Sequence, residues 1–252
     1  MYHFFISDKN NLHRRVHVQK QCNDIGLTPR FFDAIMGKDL SADELSSVTV
    51  KNNFLTKSEI GCALSHVNVL HTFLSTDERS VVIFEDDIIF SEHLTLDIIQ
   101  KLKAFVENKE EPTILALYSS ETYFNKEVQL EDIGIYSTPR FMGAYGYIVN
   151  RSAAEAIVSV QEKISFEVDH FKFYYYLKGC QLYMLDKNCV VVDKESIVST
   201  LSRESSAIDN ENYREKIREK NIKNLFRELS FYEKILFCAR ELKKHIYVKN
   251  MK

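Results

Sequence analysis

Apolar residues fall along this chain in short blocks, and the spacing within each block predicts an element. YHFFIS (2–7) is apolar at nearly every position and predicts a first strand. A polar turn, DKNN, leads into a helix over 12–25. Gly26 would end it, because glycine takes the left-handed conformation of a helix C-terminus without steric cost. RFFDAI (30–35) predicts a second strand, with Gly37 in the turn after it. The clearest helical period spans 57–76. Thr56 and Glu59 make a T-x-x-E capping box, and Ile60, Ala63, Leu64, Val67, Leu70, His71 and Leu74 trace one face. SVVIFE (80–85) is a continuous apolar run, as in a strand buried on both faces. A helix over about 93–107, strands in TILALY (113–118) and AYGYIV (144–149), and a helix over SAAEAIVSV follow. Residues 166–179 predict a helix closed by Gly179, QLYML and CVVV two short strands, and everything from 211 onward helix. Strands alternating with helices predict an α/β fold. A mainly parallel central sheet flanked by helices would fill residues 1–210, and 211–252 would form a helical C-terminal extension. In such sheets ligands bind outside the carboxyl ends of the strands.

Composition narrows the class. Of 252 residues, 45% are hydrophobic, enough for a sizeable core, and only 7 Gly and 3 Pro argue against a disordered or repetitive chain. The five cysteines are scattered and form no CxxC, which argues against a disulfide framework or a zinc cluster and for a reducing, cytoplasmic setting. The N-terminus has no basic segment before an apolar core, so no signal peptide is expected, and no apolar run reaches the roughly 18 residues of a membrane span. Charge is uneven. From Arg214 to Lys252 there are twelve Lys and Arg against five Glu, so the tail carries +7 and the body −10 within a net charge of −3. In that tail Phe231, Ile235, Cys238, Ala239, Leu242 and Ile246 form an apolar stripe, with Lys234, Lys243, Lys244 and Lys249 around it. A basic amphipathic helix of this kind can lie on an anionic membrane, or pack on its own domain or a second subunit. Nucleic acid is not expected as a partner, because the body is acidic and the basic residues are not interleaved with aromatics on a strand face.

The candidate chemistry sits in VVIFEDDIIF (81–90), where three adjacent acids interrupt an apolar run. Alternation along an extended chain would put Glu85 and Asp87 on one side and Asp86 on the other. Two carboxylates facing together suit a hard divalent cation, which takes oxygen ligands and often binds with substrate phosphates. A solvated acidic loop at a strand end is the alternative reading, and a carboxylate pair acting on glycosides is a third.

With FFDAIMGKDL (31–40) and LTKSEIGCALSH (55–66) preceding it in order, this stretch resembles the motif blocks of glycosyltransferase family 25. A weaker likeness continues through FMGAYGYIVNRSAAEAI (141–157) and FEVDHF (166–171). Two departures stand out: Ser58 replaces a frequent Gly, and the first strand reads FFISDK rather than I-N-L. The resemblance implies a GT-A-like fold and an inverting, metal-dependent transfer of a hexose. The donor would be a UDP-sugar, galactose or glucose, and the acceptor an oligosaccharide or lipid-linked saccharide of bacterial lipopolysaccharide or lipooligosaccharide. The cysteine usage already noted would place such an enzyme in the cytoplasm. The basic tail would then make a peripheral contact with the inner face of the cytoplasmic membrane, or join two subunits. A catalytically silent relative, or a different nucleotide-sugar-binding protein of the same fold, is the alternative.

On the matching positions, the resemblance assigns Mn²⁺ or Mg²⁺ to Glu85 and Asp87. It assigns the donor to Arg14 (or its neighbour Arg15), Ala34, Gly37, Ser65, His66 and Asp86. Gly143, Tyr145 and Gly146 fall on the acceptor side, and Asp169 becomes the general base. Each has a plain structural alternative. Asp169 sits among apolar and aromatic residues that would raise its pKa, but a carboxylate at a helix start is also stabilised by the dipole. Ser65 and His66 are neighbours on a helix and do not face each other as a nucleophile and base would. Arg14 could be an exposed helical arginine, and Ala34 and Gly37 a plain turn.

Overall fold

The computed structural model describes residues 1–193 and 211–250. β1 (His3–Ser7) leads to α1 (Leu12–Asp24), whose first turn is capped by the Asn11 side chain. Gly26, at φ +73°, turns the chain toward β2 (Phe31–Asp33). A short helix α2 (Ala42–Val48) precedes α3 (Lys57–Leu74), at whose start the Thr56–Glu59 capping box forms in full. Then come β3 (Ser80–Glu85), β4 (Ile88–Phe90), α4 (Leu96–Glu107), β5 (Thr113–Ala116), β6 (Thr122–Tyr123), β7 (Lys126–Leu130) and β8 (Ile133–Thr138). β9 (Gly146–Asn150), α5 (Arg151–Val160), α6 (Lys172–Lys178), β10 (Gln181–Leu185) and β11 (Val190–Val192) follow, then α7 (Glu211–Glu228), α8 (Phe231–Tyr247) and β12 (Lys249–Asn250).

Eight strands form one sheet in the order β2-β1-β3-β9-β5-β10-β8-β7. Six of them point the same way, while β9 and β8 run against them. The sheet is therefore mainly parallel in direction, as expected, but with a reversed strand at its centre. Nothing in AYGYIV announces that reversal, since a strand buried on both faces has the same composition in either direction. The consequence is local and large. β9 begins where β3 ends, with Gly146 beside Phe84, and the Glu85 N–H donates to the Tyr145 carbonyl (3.1 Å). The sheet is flanked by helices. α3 and α5 pack together against β1, β5 and β9, and α4 packs against β3, β5 and β9. Phe5 and Phe84 stack across β1 and β3 with ring centroids 4.8 Å apart.

Two sequence expectations change. Residues 166–171, assigned by the apolar pattern to a helix, are turns, and α6 starts only at Lys172. Phe166, Val168 and Phe171 are all buried, a spacing that one helical face does not meet. Gln161 and the Tyr174 hydroxyl both donate into this turn, to the Phe166 and Val168 carbonyls. The C-terminal helix is two helices, broken at Leu229 and restarted by a Ser230–Glu233 capping box. The domain boundary expected at 210 lies outside the described residues. No helix among the described residues is long and apolar enough to cross a membrane.

Candidate functional site

A cavity of about 400 Å³ opens at the end of the sheet where β3 stops and β9 starts. Its floor is Glu85 and Asp87. One wall is Glu59 and Cys62 of α3, another the 142–145 segment, and a third the 167–170 turn. Arg214 and Arg218 of α7 close the remaining side.

Glu85 is the last residue of β3, and its carboxylate is held by α3. His66 Nε2 lies 3.2 Å from Glu85 Oε1, and its other nitrogen, Nδ1, lies 2.9 Å from the Tyr147 hydroxyl. With Nε2–H donating to Glu85, Nδ1 accepts from Tyr147, so the buried ring is fixed at both ends. Cys62, one turn earlier on α3, brings its Sγ to 3.9 Å from the same carboxylate oxygen. Burial, then Glu85, Asp169 and Asp87, push the Cys62 thiol up.

Asp86 and Asp87 form a turn between β3 and β4. The turn still separates them as alternation would: Asp87 lines the cavity, and Asp86 points to Arg14, whose Nη1 donates to it at 2.7 Å. The same nitrogen is 3.7 Å from Asp87 Oδ2. The other Asp87 oxygen, Oδ1, is buried with no hydrogen-bond partner among the described residues. Burial and the charge of Glu85 raise the Asp87 carboxyl to about 6, against the pull of Arg14. A buried, unpartnered carboxylate oxygen beside a second carboxylate fits a bound cation, so the residues present suit a Mg²⁺ or Mn²⁺ ion.

Asp169 lies across the cavity in the turn before α6. Burial, with Glu167 and Glu85 adding to it, raises its carboxyl to about 6, and a hydrogen bond from the Gly143 backbone opposes this. Gly143 has φ +98°, and a Cβ there would strike the Tyr145 ring. That ring stacks on Tyr118 with centroids 4.1 Å apart. The Tyr118 hydroxyl donates to the Met142 and Gly143 carbonyls. Gly146 sits at the first position of β9 against Val190, where a Cβ would crowd it. His170 also lines the cavity; burial lowers its pKa to about 4, so it is neutral at neutral pH.

Ser65, Ala34 and Gly37 sit together, but outside the cavity wall. The Ser65 hydroxyl donates to the Gly61 carbonyl (2.7 Å) and accepts from the Ile35 N–H (2.8 Å). A Cβ on Gly37 would collide with the Lys57 carbonyl, and one on Gly61 with the Ile35 carbonyl. The A-x-x-G turn and the helix start thus pack backbone on backbone, which needs these small residues. Arg15 donates to the Ser7 carbonyl (3.1 Å) and pairs with Asp33 at the ends of β1 and β2.

Sequence reasoning missed Glu59, Cys62, Glu167, Arg214 and Arg218. Arg218 grips Glu167 with two bonds, Nε to Oε2 at 2.8 Å and Nη2 to Oε1 at 2.7 Å. Arg214 Nη2 bridges Glu59 (2.6 Å) and Glu167 (3.0 Å). Burial alone would raise the Glu167 carboxyl, but its bond from Arg218, with His170 and backbone contributions, holds it down at about 2. The available signal was the Arg214–Arg218 spacing of four, which puts two guanidinium groups on one helix face.

The family model described as "Glycosyltransferase family 25 (LPS biosynthesis protein)" matches residues 1–172. The chain is similar to a "Glycosyltransferase 25 family member" of Drosophila melanogaster, 29% identical over 109 residues, 39% of this chain and 18% of that protein. It is also similar to the lipooligosaccharide biosynthesis protein lic2B of Haemophilus influenzae, 26% identical over 168 residues, 61% of each chain. A Rattus norvegicus relative described as a probable inactive glycosyltransferase 25 family member 3 is 24% identical over 140 residues, 52% of this chain and 24% of that one. The matches thus span less than two thirds of these relatives' own lengths. Among solved structures, A197 from STIV aligns over 73% of this chain and 81% of its own, with TM-score 0.36 and 14% identity. A glycosyltransferase involved in glycosylating the major capsid of PBCV-1 aligns over 64% of this chain and 66% of its own, with TM-score 0.31 and 10% identity. With the family model covering more than half of its residues, the chain belongs to glycosyltransferase family 25.

Proposed function

We propose that this chain is an inverting hexosyltransferase that moves galactose or glucose from a UDP-sugar to a saccharide acceptor of lipopolysaccharide or lipooligosaccharide. The observation that carries the reading is the buried Asp87 Oδ1, without a partner among the described residues, beside Glu85 on the floor of a cavity whose opposite wall holds Asp169. A divalent ion on Glu85 and Asp87, Mn²⁺ or Mg²⁺, would neutralise the donor's diphosphate and stabilise it as a leaving group. His66 keeps the Glu85 carboxylate turned toward the cavity, and Arg14 holds the Asp86–Asp87 turn from the other side. Asp169 takes the proton of the acceptor hydroxyl. With its carboxyl raised to about 6 it is ionised at neutral pH yet more basic than an ordinary aspartate. The acceptor oxygen then attacks the anomeric carbon as the diphosphate departs, and no covalent intermediate is required. Tyr145 offers an apolar ring to a sugar face. The outward apolar residues of α8, with the basic residues beside them, support a peripheral contact with an anionic membrane surface, where a lipid-linked acceptor would be held.

The test is a donor panel: hydrolysis of UDP-galactose, UDP-glucose and UDP-N-acetylglucosamine, each with and without Mn²⁺. The expected result is UDP release from one of the first two only with metal, lost at least about 100-fold in Asp87→Ala while the variant stays folded. No metal-dependent hydrolysis of any donor would identify a silent relative instead. Full activity in Asp87→Ala would remove the metal assignment.

A further inference from the structure

Glu85 is approached by two ligand types that a magnesium-like ion does not need. Cys62 and His66 are four residues apart on α3, so their side chains lie one above the other on one face. Glu85 reaches that face from the end of β3. The three donor atoms, a thiol sulfur, an imidazole nitrogen and a carboxylate oxygen, lie within 4.8 Å of one another. Ligands around a tetrahedral zinc ion at about 2.0–2.3 Å are separated by about 3.3–3.8 Å, so a pair at the 4.8 Å limit would have to close by about 1 Å. The separations here are 3.2 Å from His66 Nε2 to Glu85 Oε1 and 3.9 Å from Cys62 Sγ to the same oxygen.

We propose that Cys62, His66 and Glu85 bind a zinc-type transition-metal ion, at a site distinct in ligand chemistry from the Glu85–Asp87 pair. Scattered cysteines without a CxxC argue against a thiolate cluster, but a mixed site needs only one thiol, and the α3–β3 packing supplies the other two ligands. The support behind the first ligands is already built. The Tyr147 hydroxyl, on the neighbouring strand β9, sits 2.9 Å from His66 Nδ1, an outer hydrogen bond of the kind that orients metal-binding histidines. His66 and Tyr147 are both essentially inaccessible to solvent, so the ring cannot swing away. Cys62 and Glu85 line the cavity, which leaves the fourth coordination position facing solvent or substrate. Asp87 and Asp169 line the same cavity and make its potential favourable to a cation.

The proton balance is simple. The Cys62 S–H bond breaks, its proton passes to the buffer, and a sulfur–metal bond forms. The imidazole proton moves from Nε2 to Nδ1, where the Tyr147 oxygen accepts it, and the freed Nε2 lone pair binds the metal. One proton leaves per ion bound. Softer ions favour this sulfur and nitrogen set, and hard ions the Glu85–Asp87 oxygens. Both sets draw on the Glu85 carboxylate, so the two ions compete for it. A zinc-type ion would therefore inhibit metal-dependent transfer; that consequence rests on the function proposed above, whereas the binding does not.

The experiment is a Co²⁺ titration of the full chain under reducing conditions, without donor or acceptor, followed by absorption. One Co²⁺ per chain is expected, with a thiolate-to-cobalt charge-transfer band that excess Zn²⁺ abolishes. The band should vanish in Cys62→Ser and persist in Cys238→Ser, whose thiol is exposed and remote in sequence from the site. Tyr147→Phe should weaken Co²⁺ binding about 10–100-fold. Circular dichroism and an unfolding midpoint check each variant's fold, and Cys62→Ala serves if Cys62→Ser is unstable. No band in the wild-type chain, or a band that survives loss of Cys62, overturns the proposal. The readout needs no turnover, so a chain without transferase activity still decides it.

Discussion

α7 and α8 are consecutive basic helices, and they treat their side chains in opposite ways. α7 is polar nearly all round, yet it buries Arg218 and Asn221 along with Ile222. Arg218 is held by Glu167, and Asn221 donates to the Ser165 carbonyl (2.8 Å) and the Asn52 carbonyl (3.2 Å). α8 is strongly amphipathic, yet no residue of it is fully buried. Its apolar stripe points outward: Phe231 is 82% exposed and Leu242 61%. The face turned to the body carries Phe237, packed on Tyr176 and Phe226, and Arg240, which donates to the Tyr176 carbonyl (3.0 Å). Periodicity therefore gives the faces of a helix but not which one meets the core. A guanidinium whose bonds are all met can be the buried element, and a stripe of leucine and isoleucine the free one.

The largest effect should come from the side that buries charge. Arg218→Ala removes the two-bond partner of Glu167 and leaves Arg214 as its arginine among the described residues, and breaking a buried pair from one side costs about 3 kcal/mol at the low end of the usual range. Arg218→Lys should recover little of it, because an ammonium cannot replace two parallel bonds. Lys216→Ala removes the same charge from an exposed position and should stay within about 0.5 kcal/mol. Urea unfolding checks all three, and equal losses in Arg218→Ala and Lys216→Ala would erase the contrast between the helices. The pair also sets an acid limit. The Glu167 carboxyl is held down at about 2 from an ordinary 4.5, so its contribution is complete above about 4.5 and lost as pH falls toward 2. In Arg218→Ala that carboxyl rises, and the fall in stability across this window should shrink.

A smaller effect tests how α8 is seated. Gly179 ends α6 at φ +74°, and a Cβ there would also meet the Arg240 guanidinium. Gly179→Ala should cost about 1–2 kcal/mol from the left-handed backbone alone. If α8 packs as described, Arg240→Ala should relieve the steric part of that cost, and a double-mutant cycle in urea would detect the coupling. Strict additivity would mean that Arg240 does not rest on Gly179.

Local structure was legible where one residue type has one job. Thr56 and Glu59 announced the start of α3, Gly26 and Gly179 the ends of α1 and α6, and the EDD cluster the strand end that floors the cavity. What failed to show was direction and distance in space. The reversal of β9 brings Tyr145 to Glu85, yet a strand buried on both faces is written in the same residues either way. Ser65 and Gly37 look like ligand-side motif residues, while their close backbone packing explains them as joinery between a turn and α3. Arg214 and Arg218 pair with Glu59 and Glu167 across at least 47 residues of chain, beyond the reach of any helical or strand period.

The smallest effect on stability belongs to the free face of α8, and there the contrast is sharpest. Ile235→Ser with Leu242→Ser removes two large apolar groups that are 50% and 61% exposed. Surface changes of this kind shift unfolding by no more than about 0.5 kcal/mol each. Two residues of the same type inside the core would cost several times that. If the face meets a membrane, flotation with vesicles containing anionic lipid should be lost in the double variant and in the chain cut after residue 228. Flotation of the wild-type chain should weaken as salt rises, because basic residues supply part of the attraction. Equal flotation with and without the stripe would remove the membrane contact. A stripe that instead joins two copies would appear as a concentration-dependent mass that the same two serines abolish, with vesicles making no difference. In the membrane case the unfolding midpoint without vesicles should barely move, because the stripe is turned away from the core, whereas loss of a dimer would lower it in a concentration-dependent way.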